Sequence, residues 1–482
     1  MSAGAWLRQP ATPKRPGHET VFERLAPRRS IVETALKGSV NRSFWTDDVA
    51  ALQRRFEPLH GDTSTDLVIV GGGFLGLWTA ILAKERDPQR QVTLLEAERV
   101  GWAASGRNGG FCEPSLTHGD DNGRKRWPEE FEQLQALGRQ NLEEIAATVQ
   151  RHGIDCDFER TGSMVVAVEP HQDDWLRGEG YMTADQARAE VASPTFLSAH
   201  WERDTVMLHP GKLVAGLARV AHELGVRLHE GSRVTGLRAR GQQVRLCTDA
   251  GSVTASRVVL ATNAFPSLLK RHRLHTIPVY DYVLMTEPLN ARQLAAVGWR
   301  NRQGLSDMGN QFHYYRITRD NRILFGGYDA IYNFGGTVDR RHDDRPRSFE
   351  TLASHFFTTF PQLEGLRFTH RWGGAIDTCS RFCAFFTQAL AGKVVYAAGF
   401  TGLGVGATRF AANVLLDLAD GLDTERTRLR MVRERPLPFP PEPLAWVLLS
   451  AVRWSLDRAD HAQGRRNLLL RTLDALGLGF DS

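Results

Sequence analysis

Hydrophobic and polar positions near the start of the chain predict a unit of strand, turn, helix and strand. Residues 66–70 are a short apolar run rich in β-branched side chains, which is typical of a strand buried on both faces. After a glycine-rich stretch at 71–76, apolar residues recur at helical spacing until Pro88 stops the pattern. Residues 91–96 predict a second strand, and the whole pattern fits into about thirty residues, the size of a βαβ unit.

Later changes in the pattern predict a second domain. Apolar runs at 257–262 and 393–399 predict further buried strands, whereas 120–205 and 275–365 are richer in aromatic and charged residues and contain alternating segments such as 163–168. We therefore expect an α/β domain assembled from three separated stretches, with a sheet-containing domain inserted twice. The predicted segments are a leader (1–60), the discontinuous α/β domain (61–116, 205–270 and 366–430), the inserted domain (117–204 and 271–365) and a C-terminal tail (431–482).

The tail combines a proline-rich linker with a helical segment. Residues 436–443 are predicted to be extended, because each proline disfavours helix at the residue before it. Residues 444–476 are predicted to be helical, with arginines such as Arg453 and Arg458 at polar positions. We expect these helices to pack on the body of the protein. The alternative is a basic amphipathic helix that docks on a membrane surface or a protein partner.

Composition narrows the functional class by exclusion. Sixty Lys and Arg residues against 55 Asp and Glu leave a net charge of +5 over 482 residues, which argues against a nucleic-acid binder. Five scattered cysteines are too few for a disulfide framework, and their odd number suggests a reducing compartment. The leader has no apolar run that would make a signal peptide, and no run approaches the roughly 20 residues needed to span a bilayer. We expect a soluble, cytoplasmic protein.

The glycine stretch after the first strand has the spacing of a dinucleotide-binding turn. Gly71 permits a tight turn, Gly73 lets the backbone approach a pyrophosphate, and Gly76 lets the helix lie close to the strand. The N-terminus of that helix would face the phosphates. Glu96 ends the second strand, where its carboxylate would accept hydrogen bonds from ribose hydroxyls and would disfavour a 2′-phosphate. Together these features predict a bound dinucleotide.

Two further segments favour a flavin dinucleotide over a nicotinamide one. Residues 99–110 form a loop of small, hydroxyl and amide residues that suits contact with a pyrophosphate and a flat ring. Residues 397–406 predict another strand, glycine turn and helix much later in the chain. The helix N-terminus at that turn would direct backbone N–H groups at the flavin N1–C2=O edge, where negative charge appears on reduction.

Five motifs occur together and identify a family. They are the 71–76 turn, Glu96, the 101–110 run, Trp372-Gly-Gly-x-Ile-Asp377 and the 399–404 turn. This combination resembles the FAD-dependent D-amino-acid oxidase/glycine oxidase superfamily over roughly residues 40–425, and Ser-Gly-Arg-Asn-Gly-Gly at 105–110 is most similar to the γ-glutamylputrescine oxidoreductase branch. The resemblance implies an α/β fold, with a Rossmann-like FAD-binding domain and an inserted α+β substrate domain that carries an antiparallel sheet.

The resemblance also implies which residues contact the cofactor. The expected FAD contacts are Gly71, Gly73, Phe74, Gly76, Glu96, Ala104, Ser105, Gly106, Arg107, Asn108, Gly109, Gly110, Val234, Thr262, Gly399, Phe400, Gly402, Leu403 and Gly404. The cysteine that holds flavin covalently in sarcosine oxidases would align near Gly373 or Gly374, so we expect non-covalent FAD. A covalent link through Cys379 is the alternative.

The expected chemistry is oxidation of an amine. In this class an amine passes hydride equivalents to flavin N5 and becomes an imine, which water hydrolyses. The electron acceptor that follows is O2 or another molecule, because both an oxidase and a dehydrogenase fit the sequence. No His/Cys cluster has the spacing of metal ligands, so no metal site is expected.

Two departures from relatives favour an amine over a simple α-amino acid. Sarcosine oxidases carry a carboxylate-binding lysine where Gly406 stands here, and glycine oxidases carry a carboxylate-binding arginine where Thr318 stands. The lead hypothesis is a primary or secondary amine, including one with a distal anionic group bound by Arg316 or Arg409. The alternatives are an N-methyl or D-amino-acid oxidase or dehydrogenase, and a flavoprotein that passes electrons to a docked partner.

Candidate catalytic residues lie in the predicted roof sheet and before the last buried strand. They are His313, Tyr315, Arg316, Trp372 and Asp377. For each aromatic side chain the alternative is ordinary core packing, and for Arg316 it is an ion pair within its strand.

Overall fold

The computed structural model describes residues 18–478, so the first 17 residues of the predicted leader and residues 479–482 of the tail lie outside the described residues. The α-helices are α1 Val21–Arg24, α2 Arg29–Leu36, α3 Phe44–Asp48, α4 Phe74–Arg86, α5 Asp120–Arg126, α6 Phe131–Arg151, α7 Ala184–Glu190, α8 Pro210–Glu223, α9 Ala291–Val297, α10 Pro346–Thr359, α11 Gly404–Asp420, α12 Glu425–Arg428, α13 Arg430–Arg433, α14 Leu444–Asp460 and α15 Leu468–Ala475. The strands are β1 Val40–Asn41, β2 Gly61–Val70, β3 Val92–Leu95, β4 Phe111–Cys112, β5 Ser163–Ala167, β6 Tyr181–Thr183, β7 Ser198–Glu202, β8 Val206–Met207, β9 Arg227–His229, β10 Gly236–Arg240, β11 Gln243–Cys247, β12 Gly251–Leu260, β13 Ile277–Thr286, β14 Gly304–Asp307, β15 His313–Ile317, β16 Ile323–Tyr332, β17 Phe368–Thr378, β18 Phe385–Ala389 and β19 Val394–Ala398.

The first sheet has a parallel core. Its main path runs β10-β11-β12-β2-β3-β9, and β19 pairs in parallel with β12 and antiparallel with β18. The four apolar runs that predict buried strands all lie in this core, as β2, β3, β12 and β19, and α4 follows β2 as predicted. The carboxyl ends of these strands therefore share one edge of the sheet, where open α/β sheets bind ligands.

The helix α4 is buried along nearly its whole length between the sheet, α8 and α11. Its side chains Trp78 and Ile81 are fully buried in one hydrophobic cluster with strand residues such as Leu67. A Cβ added at Gly76 would lie 1.9 Å from the carbonyl oxygen of Gly71, so the helix approaches the preceding turn more closely than any side chain allows. This contact fixes the glycine turn at the carboxyl edge of the sheet.

The second sheet has nine strands in the order β1-β17-β13-β16-β15-β14-β5-β7-β6 and is mainly antiparallel. The helix α10 packs on β13 and β16 through an aromatic cluster that includes Phe325, Phe349 and Phe356. The predicted α/β class with a second, sheet-containing domain is confirmed. The structure places β17 in this second sheet, although its residues open the predicted 366–430 stretch of the first domain, because β17 pairs along its length with β13.

The tail contains the helices α14 and α15, separated by residues 461–467. The helix α14 packs along β16, and α15 packs on α14. The backbone N–H of Phe439 in the proline-rich linker donates a hydrogen bond to the carbonyl of Leu274 at 2.7 Å, so the linker also lies on the protein body. Among residues 18–478, no helix has the length and apolar character required to cross a membrane.

Candidate active site

A cavity of about 920 Å³ lies between the two sheets and the tail. It begins at the carboxyl edge of the parallel core, where Val70, Leu95 and Ala261 follow or end their strands. The second sheet supplies another part of its wall, including Val279 and Tyr314. The volume lies at the upper end of the range found for ligand pockets, which accommodates a large cofactor together with a small substrate.

The first glycine turn is shaped for close approach of a ligand to the backbone. Gly71 has a φ of +112°, and an added Cβ would lie 2.4 Å from the carbonyl oxygen of Ala261. Gly73 lines the cavity, and its Cβ would lie 2.9 Å from Oγ of Ser105. Because α4 begins at Phe74, the N–H groups of its first turn lie at the cavity wall.

Glu96 lies at the end of β3 in the cavity wall, as the dinucleotide motif requires. Its Oε2 accepts a hydrogen bond from the backbone N–H of Gly72 at 2.6 Å, and its Oε1 accepts from Nε1 of Trp102 at 3.1 Å. Burial raises the pKa of this carboxyl group above its ordinary value, and the hydrogen bonds oppose that rise. These bonds hold the carboxylate against the glycine turn.

The loop at 101–110 connects the two sheets. Oγ of Ser105 accepts a hydrogen bond from the N–H of Phe74 at 2.9 Å, which ties the loop to α4. Arg107 forms an ion pair with Asp343 at 2.6 Å, and its backbone carbonyl accepts a hydrogen bond from Nε1 of Trp372 at 2.9 Å. Ser105 and Arg107 therefore contact opposite sides of the cavity through one short loop.

The late glycine turn is held by a buried carboxylate. Oδ2 of Asp377 accepts hydrogen bonds from the N–H groups of Gly399 at 2.7 Å and Phe400 at 3.2 Å. Burial raises the pKa of Asp377 to about 6. An added Cβ at Gly402 or Gly404 would meet nothing within 4 Å, so the turn before α11 opens into the cavity. Asp377 thus fixes a backbone surface that faces the cavity.

Most of the residues predicted to contact FAD line this one cavity. Those in its wall are Gly71, Gly73, Phe74, Glu96, Ala104, Ser105, Arg107, Asn108, Gly109, Gly110, Val234, Thr262, Phe400, Gly402, Leu403 and Gly404, together with Asp377 from the catalytic set. Those behind the wall are Gly76, Gly106, Gly399, His313, Tyr315, Arg316 and Trp372. The structure thus brings together most of the residues predicted to contact FAD and separates most of the predicted catalytic residues from the cavity.

Alternation along β15 explains where two of the catalytic candidates lie. Successive side chains of a strand point to opposite faces, and His313 and Tyr315 point toward α10. There His313 binds Asp307 at 2.6 Å and His355 at 2.9 Å, while Tyr315 packs in the aromatic core. Tyr314, between them, faces the cavity. His313 and Tyr315, predicted as catalytic residues, therefore lie on the face of β15 that is turned away from the cavity.

The two arginines considered for a substrate anion make other contacts. The guanidinium of Arg316 is buried and donates hydrogen bonds to the backbone carbonyls of Leu208 at 2.5 Å and Gly110 at 3.4 Å. Burial lowers the pKa of Arg316 to about 10. Arg409, on α11, forms an ion pair with Glu144. Both cations therefore stabilise the protein scaffold, and neither lies in the cavity wall.

Several acidic groups that the sequence analysis missed line the cavity. Oδ2 of Asp281 accepts a hydrogen bond from the hydroxyl of Tyr314 at 2.7 Å, and burial raises the pKa of Asp281 to about 6. Burial, with a smaller contribution from Glu202, raises the pKa of Glu113 to about 7. The alternation of β15 could have identified Tyr314. No sequence signal marks Glu113 beyond its position just after the 101–110 loop.

Cys379, the alternative anchor for a covalent cofactor, points away from the cavity. Its Sγ donates a hydrogen bond to the carbonyl of Cys383 at 3.2 Å, and the residue is fully buried outside the cavity wall. Among residues 18–478, all five cysteines are free, and no group of His, Cys, Asp and Glu side chains is arranged to hold a metal ion.

Comparisons with known proteins agree with this geometry. A family described as DAO, FAD dependent oxidoreductase, matches residues 66–418. The chain is 32% identical over 394 residues to the gamma-glutamylputrescine oxidoreductase of Escherichia coli, covering 77% of this chain and 87% of that protein. It is 28% identical over 426 residues to a probable oxidoreductase OrdL of Rhizobium meliloti, covering 83% of this chain and 93% of that protein.

A solved structure supports the fold. Glycine oxidase from Geobacillus kaustophilus superposes with a TM-score of 0.63 at 20% sequence identity, covering 75% of this chain and 96% of that chain. At this level of identity the likeness concerns the architecture of the two sheets and their connections.

Proposed function

Because this chain belongs to the DAO family of FAD-dependent oxidoreductases, and is therefore an enzyme that acts on amine or amino-acid-like substrates, we propose that it oxidises a primary or secondary amine to an imine. Water then hydrolyses the imine to an aldehyde and an amine or ammonia. The proposal rests on one observation, the excess of carboxylates over available cations in the wall of the cavity.

The residues of the chain fit non-covalent FAD. The first glycine turn is a cradle that a Cβ at Gly71 would fill, and Glu96 lies where the ribose of the adenine half is expected. Ser105 and Asn108 would contact the pyrophosphate and ring, and the turn held by Asp377 would contact the pyrimidine edge. Bound FAD supplies the oxidant that accepts hydride equivalents from the substrate.

The acidic wall favours a cationic substrate. Glu113, Glu202 and Asp281 line the cavity, and no Lys, Arg or His among the described residues forms an ion pair with them. By contrast, the arginines of the wall are each paired with a carboxylate. These pairs are Arg107 with Asp343, Arg233 with Glu98, and Arg453 with Asp329. The remaining negative charge attracts an ammonium group and disfavours a substrate carboxylate.

Glu113 is suited to remove a proton from the bound ammonium. Only the neutral amine can release hydride equivalents from the carbon beside nitrogen, so an ammonium substrate must first lose a proton. No described residue donates a hydrogen bond to the Glu113 carboxylate, and its pKa of about 7 matches that of an effective base at neutral pH. Its backbone carbonyl would lie 2.4 Å from a Cβ at Gly406, which places Glu113 beside the first turn of α11.

A distal anionic group is not part of the proposed substrate. That hypothesis depended on Arg316 and Arg409, which instead bind backbone carbonyls and Glu144. The same contacts weaken the alternative of an amino-acid oxidase, because its substrate carboxylate would need a cation in the cavity wall.

Anaerobic titration of the FAD-loaded enzyme tests the proposal. The panel contains alkylamines, diamines, γ-glutamylated diamines, sarcosine and D-amino acids, and loss of the flavin colour reports the reaction. We expect amines without a carboxylate near the reacting carbon to bleach the flavin faster than the amino acids do. Faster bleaching by sarcosine or a D-amino acid would refute the proposed substrate class. Admitting air afterwards separates an oxidase from a dehydrogenase by the rate at which the colour returns.

The variant Glu113→Gln tests the proposed base. For the wild type, kcat/KM is expected to rise with pH through about pH 7, because the ionised carboxylate is the active form. Glu113→Gln should lose that rise and about 100-fold in kcat/KM at neutral pH. Glu132→Gln, at an exposed position of α6, is the matched control and should keep the wild-type profile. An unchanged pH profile in Glu113→Gln would exclude the base role.

A further inference from the structure

We propose that the tail forms the outer wall of the substrate cavity and selects an amine that carries an apolar group, such as an alkyl or arylalkyl chain. This inference rests on the proposed function, because it names the class of amine that is oxidised. The family match ends at residue 418, before the tail begins at 431, so this part of the wall lies outside the region shared with the family.

The helix α14 turns one apolar face toward the cavity. Leu448, Leu449, Val452 and Leu456 all line it, and their spacing of one, three and four residues is that of a single helical face. Each of these side chains is only half-buried, although each lies against the protein body. Val447, on another side of the same helix, is 55% exposed and does not line the cavity. One apolar face of α14 therefore lines the cavity.

The second helix and the linker extend the same apolar surface. Leu470 and Leu473 of α15 line the cavity, as do Leu437 and Phe439 of the proline-rich linker. This surface belongs to the same cavity as the late glycine turn and the carboxylates of the second sheet. The remaining atoms of a substrate held by its amine at those carboxylates can therefore contact the tail within the same cavity.

Hydrogen bonds from strand β16 and from two loops at the rim of the cavity fix the tail in this position. The carboxylate of Asp460 accepts from the backbone N–H and the side-chain Nδ2 of Asn310, at 2.9 and 2.7 Å, and from the N–H of Gln311 at 3.2 Å. Glu442 accepts from the hydroxyl of Tyr332 at 2.7 Å. On the other side, Oγ of Ser380 donates to the carbonyl of Leu437 at 2.8 Å. Their donors all line the cavity, so the tail is bonded to the rim that it covers.

The charged residue of this wall is ion-paired within the protein. Arg453 forms an ion pair with Asp329 at 2.7 Å, and Asp329 also binds Arg345 at 2.8 Å and accepts a hydrogen bond from Ser348. The guanidinium of Arg453 is thus held against the second sheet through Asp329 of β16. The part of the tail that remains available to a substrate is apolar, which favours burial of hydrocarbon over binding of an anion.

Chain length should therefore control the rate. Burial of one methylene group corresponds to about fourfold in affinity, so kcat/KM should rise about fourfold for each methylene added to a linear alkylamine until the chain exceeds the cavity. The assay compares propylamine with octylamine, using the FAD-loaded full-length enzyme. Spermidine and a γ-glutamylated diamine of similar length represent substrates with polar or charged extensions.

Three serine variants of one helix locate the effect. Val452→Ser should lower kcat/KM for octylamine about tenfold and leave that for propylamine nearly unchanged, because only the longer chain reaches α14. Val447→Ser is matched in residue type and helix, and should leave both values unchanged. Leu456→Ser is a second variant of the wall. Flavin content and melting temperature establish that each variant is folded before the rates are compared.

The outcomes separate this inference from the proposed function. If no amine of any kind bleaches the flavin, the proposed function fails. If amines bleach it but the rate does not depend on alkyl length, or if Val452→Ser and Leu456→Ser behave like Val447→Ser, the apolar selection by the tail is wrong while the amine oxidation stands. If spermidine or the γ-glutamylated diamine is the best substrate, the wall does not select for apolar chains.

Discussion

Replacement of Asp377 by Asn should change how the stability of the protein depends on pH. Oδ2 of Asp377 accepts both hydrogen bonds from the late glycine turn, and an Asn side-chain oxygen at that position can accept the same two bonds. The substitution therefore removes the buried negative charge and retains the acceptor. Burial is the main cause of the raised pKa, so the ionised carboxylate of Asp377 lowers the free energy of unfolding, whereas the uncharged Asn side chain does not.

The magnitude follows from the pKa in the folded and unfolded states. A rise from 3.8 to about 6 means that the folded protein holds the proton more tightly than the unfolded chain does. This contribution to stability amounts to about 3 kcal/mol when it is complete, below pH 3.8, and it is lost as the pH rises through 6. Between pH 4.5 and 7.5 the free energy of unfolding of Asp377→Asn should therefore gain about 2 kcal/mol relative to the wild type.

Urea unfolding of both proteins at pH 4.5, 6 and 7.5, followed by tryptophan fluorescence, measures this difference. Parallel dependence on pH in the two proteins would refute the reasoning, because it would show that the carboxyl does not titrate abnormally in the folded state. Asp377→Ala is the control for the hydrogen bonds. It leaves the N–H groups of Gly399 and Phe400 without an acceptor and should lose about 2–6 kcal/mol at every pH.

Two further substitutions test the cavity itself. Gly76→Ala would place a Cβ 1.9 Å from the carbonyl oxygen of Gly71, so it should lower the free energy of unfolding by about 3 kcal/mol and abolish FAD binding. The control Gly236→Ala should be neutral, because a Cβ at that position meets nothing within 4 Å. Normal flavin content in Gly76→Ala would contradict the close packing. Tyr314→Phe removes the hydroxyl that stabilises the ionised form of Asp281. The pKa of Asp281 should therefore rise further, and the affinity for amines below neutral pH should fall. An unchanged pH dependence of KM would exclude that contact.

The cofactor half of the site was predictable because its signals are local. The tight turn at Gly71, the close helix at Gly76 and the acid at Glu96 lie within one βαβ unit, so their spacing in the sequence largely determines their arrangement in space. The late turn was predictable for the same reason. Its bond to Asp377, more than twenty residues earlier, confirms that two motifs of the sequence meet in one structure.

The substrate half depends on contacts that the sequence does not report. Tyr314 and Tyr315 are neighbours of the same residue type, and only the position of α10 decides which of them faces the core. Arg316 carries the charge that an anion-binding site needs, but it donates its hydrogen bonds to backbone carbonyls that are distant in the chain. The helical tail was predictable from its periodicity, whereas its docking at the cavity depends on single hydrogen bonds such as those of Asp460.

The position of the tail in the chain also orders the assembly of the enzyme. Residues 437–478, which complete the cavity wall, follow both sheets in the sequence and so leave the ribosome after them. At roughly 5–20 residues per second, synthesis of this stretch takes on the order of 2 to 8 seconds, during which both sheets can already fold. Until this stretch is made, the cavity lacks the part of its wall that the linker, α14 and α15 supply. The entrance to the cavity is therefore wider before the tail is made than after it, which matters more for a large ligand such as FAD than for an amine.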